Sequence, residues 1–217
     1  GCDVTIICQS GSWEAPGVEV LQLGARGLSR TGRLANFAAD VEKAVKDRNF
    51  DILQTTLPIP CANVYRLRGG TIPAQQAASL RRRSLPGRLM RRITEPFNAH
   101  RRRMARYEKQ LMTGRGAMCL CVSRMVQQEC QKYYGAISGV EVVFNCVDVP
   151  GDETRAADRK RIREEIGAHD DAAVFLTVAT NYELKGVTQS IEAFAKWRSE
   201  SGDDGSRLVI LGRPAPD

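Results

Sequence analysis

AVFLTVA at 173–179, NYELKG at 181–186 and RLVILG at 207–212 are the stretches whose reading decides the fold. The first and third are apolar, β-prone runs, and between them Val187, Ile191, Phe194 and Ala195 recur at helical spacing and are expected to face inward. Strand, helix and strand in this order make a βαβ unit. Its first turn presents Lys185 and Gly186 at the carboxyl ends of the strands, where open parallel sheets bind ligands and a helix amino terminus favours anions. That arrangement suits a phosphorylated ligand, with Gly186 leaving room for it. A lone lysine on a solvated turn fits the same residues. No GxxxxGK[ST] loop and no GxGxxG after a strand occurs, which argues against a P-loop NTPase.

The same alternation extends toward the amino terminus. AMCLCVS at 117–123 reads as a buried strand, with Ser123 as N-cap of the helix RMVQQECQKYYG; VEVVF at 140–144 is the next strand. NCVDVPGDE at 145–153 has the Pro, Gly and acidic content of a linker, and the charged helix ETRAADRKRIREEIG follows it. Further upstream, VTIIC at 4–8, VEVLQL at 18–23 and ILQTTL at 52–57 are strands. Between them Leu34, Phe37, Ala38, Val41, Ala44 and Val45 mark one helical face. PIPCANVYRLRGGTIP reads as a functional loop in which Gly69 and Gly70 allow close backbone approach. The predicted class is α/β with two parallel-sheet, Rossmann-like domains, at 1–148 and 149–217.

Composition narrows the setting. With 42% hydrophobic and 26% charged residues the chain of 217 is ordinary for a globular protein. It has no apolar run of about 20 residues and no basic, apolar leader, so a cytoplasmic location is expected. Because it starts without Met, it is expected to be a piece of something longer. The cysteine count of 7 is odd and contains no CxxC pair, which predicts reduced core thiols and no metal site; Cys119 and Cys121 alternate onto one face. His100 and His169 lie in polar surroundings and are expected at the surface, as are the carboxylates of 152–171 among their arginines.

The excess of positive charge is concentrated. From Arg81 to Arg106 ten arginines, Arg81, Arg82, Arg83, Arg91 and Arg92 among them, face the single acid Glu95. Leu85, Leu89, Ile93 and Phe97 recur every four residues through this stretch, though Pro86 and Pro96 are expected to break the helix. Such a surface suits an anionic lipid, an acidic glycan or nucleic acid, and a solvated arginine face is the plainer alternative. A pI near 9.2 supports a nucleic-acid-binding protein. Against it, Phe97 is the one aromatic ring of the segment able to stack on a base. A non-catalytic nucleotide-binding module is the third reading.

The ordered set CVSRMVQQECQKYYG, VEVVFNCVD, VFLTVATNYELKGVTQSIEAFAKW and LVILGRP resembles the retaining glycosyltransferases of family 4, two-domain GT-B enzymes. Its flavour is closest to the lipopolysaccharide core glucosyltransferases. The resemblance is strong over 117–212 and loose over 1–57. It implies transfer of a hexose from a nucleotide-diphosphate sugar to a cell-envelope glycan or glycolipid, with no cofactor or metal and with contact at the inner membrane face. Lys185 would hold the diphosphate, with Gly186, Thr180 and Gly212 around the nucleotide. Asn145 and Asp148 would shape the interdomain turn. Gly69, Gly70 and the arginine segment would lie on the acceptor side.

Three departures qualify it. Cys146 stands where members have glycine, so a turn needing positive φ would be strained or differently shaped. Thr180 and Leu184 occupy places where members often carry an arginine, which implies an altered phosphate grip. The usual glutamate pair eight positions apart is expected beyond the end of this chain, and Glu183 and Glu192, nine apart and in the wrong element, do not replace it. The first strand, glycine-rich loop and helix of the amino-terminal domain are also expected to be lacking, leaving a chain without turnover of its own.

Overall fold

Every strand ladder among the described residues is parallel, as the alternation of strands and helices requires. The structure is a computed structural model describing residues 2–81, 83–114 and 116–212. It divides into two compact units, Gly1–Cys146 and Val147–Asp217.

In the first unit β1 (Val4–Cys8) pairs with β2 (Val18–Gln22), and α1 (Arg30–Lys46) follows. Ser29 caps α1 by accepting from the Gly32 amide, and Leu34, Phe37, Ala38 and Val41 form its buried face. A second sheet has the order β3 (Gln54–Thr55), β4 (Val64–Leu67), β5 (Met118–Cys121), β6 (Val140–Val142). No ladder bond joins β1 to β3, and a trench of about 490 Å³ lies between them, lined by Ile6, Ile7, Phe37, Val41 and Leu53 among others.

The presence of β4 corrects the reading of 58–73 as loop. Val64–Leu67 is a central strand whose Tyr65 and Leu67 point into the core while Arg66 takes the other face, the two-residue period of a strand too short to register between prolines and glycines. The predicted strand at 52–57 contracts to Gln54–Thr55, because the Leu53 amide is bound by the Asn63 side chain at 2.8 Å.

The helices α2 (Ile72–Arg81), α3 (Leu85–Thr94), α4 (Ala99–Thr113) and α5 (Arg124–Tyr134) complete this unit. Pro86 does not break a helix. It sits in the first turn of α3, where its missing N–H costs nothing, and Pro96 lies in the short 3₁₀ turn Glu95–Phe97. Leu111 and Met112 of α4 and Val126 and Cys130 of α5 pack with Tyr65, Leu67, Cys119 and Cys121 into the main core. Cys119 and Cys121 are wholly enclosed, and burial pushes the Cys119 thiol up to about 11.

The second unit contains α6 (Asp152–Glu165), β7 (Val174–Val178), a short α7 (Tyr182–Lys185), α8 (Val187–Ser201) and β8 (Arg207–Leu211). The βαβ reading of 173–212 holds, with β7 and β8 in register from Val174 and Arg207 to Val178 and Leu211. The expected inward face of α8 holds only in part: Val187 is buried and Phe194 half-buried, whereas Ile191 and Ala195 are exposed. Two strands cover too little of a helix to bury its whole apolar stripe. Phe194 instead packs with Phe175 and Trp197, ring centroids 5.3–5.9 Å apart.

Candidate functional site

The carboxyl ends of β7 and β8 gather the predicted donor residues of the second unit. The Ala179 amide donates to the Leu211 carbonyl at 2.7 Å, which holds the ends of the two strands together. Gly212 lies directly on the Ala179 carbonyl, and a side chain there would collide with that oxygen. Thr180 leads into Asn181, whose side chain caps α7 by accepting from the Leu184 amide at 2.8 Å. Lys185 ends α7 in an exposed position.

Gly186 joins α7 to α8 with φ +66° and ψ +36°. A Cβ at this glycine would touch Gln189 Oε1 at 3.4 Å, an ordinary contact, so glycine is needed for the left-handed backbone and not for room. The first amides of α8 open just beyond Lys185, and a positive helix end beside an ammonium is suited to an anion. No ion pair joins Lys185 to an acid among the described residues.

In the first unit the loop after β4 is held from below by two carboxylates. Glu129 accepts from the Thr71 amide at 3.3 Å. Glu108, wholly enclosed, accepts from Tyr65 Oη at 3.0 Å, the Ile72 amide at 2.7 Å and Tyr134 Oη at 2.5 Å. Burial raises the Glu108 carboxyl above its ordinary range, while the hydrogen bonds from Tyr134, Ile72 and Tyr65 pull the other way. Both tyrosine hydroxyls are raised, chiefly by burial.

The two loop glycines differ. Gly70 has φ +87° and a Cβ there would run into the Glu129 carboxylate, whereas Gly69 faces open space. Close approach is therefore a property of Gly70 alone. Sequence reasoning missed Glu108, which reads as one more charge on a charged helix; its signal was the apolar pair Leu111 and Met112 a turn further along the same face.

A polar cleft of about 440 Å³ opens where β3 to β6 end, lined by Gln54, Thr56, Arg66, Arg68, Val122 and Asn145. Arg66 donates to Asn145 Oδ1 at 2.7 Å. Ser123, just past β5, accepts from the Val126 amide at 3.3 Å as the predicted N-cap of α5. Cys146 follows Asn145 without the expected strain, since no non-glycine residue among those described has a positive φ. Asp148 is exposed and falls in the second unit.

Of the predicted basic surface, Arg81 ends α2, Arg83 precedes α3, and Arg91 and Arg92 belong to α3; Arg82 lies outside the described residues. Glu95 is paired with Arg91 at 2.7 Å and Arg101 at 3.2 Å, which spends the segment's single acid internally. No residue of α3 is buried: Leu85 is 77% exposed, Leu89 63%, Ile93 58%, and Phe97 just beyond is 81% exposed. His100 departs from expectation. It is half-buried, with Nδ1 enclosed and unpartnered among the described residues, and it lines a cavity beside Arg33, Phe37 and Met104.

Among the described residues no helix is long and apolar enough to cross a membrane, and no three His, Cys, Asp or Glu side chains group as metal ligands. The chain superimposes on the crystal structure of WaaG, described as a glycosyltransferase involved in lipopolysaccharide biosynthesis, with a TM-score of 0.75 and 20% sequence identity over 99% of this chain and 56% of that one. The shared architecture is GT-B, with two parallel-sheet α/β domains, and this chain spans about half of that structure. No curated protein matches. The family model described as Glycosyltransferase Family 4 matches residues 1–149, well over half the chain, and to that family the chain belongs.

Proposed function

We propose that the protein is a retaining glycosyltransferase that moves a hexose from a nucleotide-diphosphate sugar to a cell-envelope glycan or glycolipid, of the lipopolysaccharide type. The observation that carries the reading is the segment after β7, where Lys185 and Gly186 stand at the start of α8 and Gly212, at the carboxyl end of β8, lies against Ala179, in a chain of this family. An ammonium and a helix dipole neutralise a diphosphate without a metal ion and stabilise it as charge develops on the leaving oxygen. Residues 1–217 alone are proposed to bind donor without turning it over, since Glu183 and Glu192 do not stand in for the family's acidic pair.

Lys185→Ala should weaken nucleoside diphosphate binding by about 1.5–3 kcal/mol, the scale of a hydrogen bond to a charged group. Isothermal titration reads this, and unchanged affinity removes Lys185 from the site.

The amino-terminal unit is the acceptor side in this reading, and α3 is its membrane contact. An exposed row of Leu85, Leu89 and Ile93 flanked by arginines is the pattern of a helix lying in a headgroup layer, which supports a peripheral position at the inner membrane face.

A further inference from the structure

The cleft at the carboxyl ends of β3 to β6 carries two guanidiniums and no acid. Arg66 and Arg68 line it with Gln54, Thr56, Val122 and Asn145. Neither arginine has a carboxylate within 4.0 Å among the described residues. Arg66 is half-buried and spends one N–H on Asn145 Oδ1 at 2.7 Å, a bond that orients its planar group and leaves the other donors free. Arg68 follows β4 at the start of the loop that Glu129 and Glu108 anchor through the Thr71 and Ile72 amides. One cation is thus set by a side-chain bond and the other by a loop pinned from beneath.

Two like charges sharing one cleft repel, and an oxyanion between them removes that cost. The remaining polar groups, the amides of Gln54 and Asn145 and the Thr56 hydroxyl, all can donate to oxygen. A site for a neutral sugar normally brings carboxylates to accept from its hydroxyls, and this cleft has no carboxylate in its lining. Guanidinium forks match phosphate geometry.

We infer that Arg66 and Arg68 form an anion subsite that selects an acceptor bearing a phosphoryl group, separate from the donor turn at Lys185. The inference rests on the glycosyltransferase reading for the word acceptor, but the anion site itself does not.

The test is titration of residues 1–217 with glucose 6-phosphate, glucose and uridine diphosphate. Glucose 6-phosphate should bind saturably and weaken with added salt, and glucose should not bind. Arg66→Gln and Arg68→Gln should each weaken the sugar phosphate about tenfold, with uridine diphosphate unaffected. Arg68→Gln serves as the control for folding, since its side chain is exposed and makes no hydrogen bond among the described residues, and Arg68→Lys should recover only part of the loss. Absence of sugar phosphate binding, or binding indifferent to both substitutions, overturns the subsite. Loss of uridine diphosphate binding in the arginine variants overturns it too, because the cleft would then serve the donor. If uridine diphosphate fails to bind at all while the arginine-dependent sugar phosphate signal persists, the donor reading falls and the anion subsite stands.

Discussion

Replacing Glu108 by alanine removes the acceptor for three donors at once. Tyr65 is 4% exposed, so its hydroxyl has no water to turn to, whereas Tyr134 and Ile72 are half-buried and recover part of their hydration. At about 1–3 kcal/mol per orphaned buried group, one full and two partial losses come to about 4 kcal/mol. Relief of the buried carboxylate returns part of this, leaving about 3 kcal/mol. With a slope of about 2 kcal/mol/M, the urea midpoint of the amino-terminal unit should fall by about 1.5 M, read by circular dichroism at 222 nm because α1 to α5 dominate its helix content. Glu108→Gln keeps one acceptor oxygen and should lose less. The pH dependence has a definite sign: the folded-state value of Glu108 is raised, so its contribution is complete below the unfolded value and declines as pH rises through the folded one. The stability difference between wild type and Glu108→Gln should therefore be largest on the acid side of the carboxylate range and shrink toward neutrality. A loss below 1 kcal/mol for Glu108→Ala would refute the claim that this carboxylate holds the loop.

Two further outcomes are expected. Gly70→Ala forces a side chain into a left-handed residue and against Glu129, and should cost about 1–3 kcal/mol, while Gly69→Ala should stay within about 0.5 kcal/mol; paired thermal melts decide between them. Cosedimentation should show binding to vesicles containing phosphatidylglycerol that falls steeply with salt and is lost in Leu85→Asp/Leu89→Asp, with little binding to neutral vesicles; equal recovery on both lipids would remove α3 from the membrane.

Local pattern carried much of the fold. The 3.6-residue period of 34–45 and the alternation of CLC needed no tertiary information, because these two elements bury the face their own spacing defines; VTIIC and VFLTV were legible as strands from their β-prone residues, although Val4, Ile6, Leu176 and Val178 are exposed. What escaped was set by distant partners. VYRL is a strand because Tyr65 and Leu67 lie between β3 and β5 in the sheet and over a pocket closed by α4, none of which the flanking prolines and glycines announce. Glu108 and His100 escaped for the same reason: a polar side chain on a basic helix reads as solvated until the neighbour that encloses it is known. The residues of the proposed donor turn were legible as a turn, but the reason for Gly186 was not, since a left-handed φ leaves no trace in the residues around it.

The interrupted sheet of the first unit follows from the same physics. β1 and β3 face each other across the trench with no ladder between them among the described residues, and the lining mixes apolar Ile6, Ile7, Phe37, Val41 and Leu53 with polar Asp3, Thr5, Gln54 and Thr55. The donors suited to an oxyanion in the first unit gather instead at the polar ends of β3 to β6, where the anchored loop, the capped helix α5 and two guanidiniums without a carboxylate partner among the described residues lie.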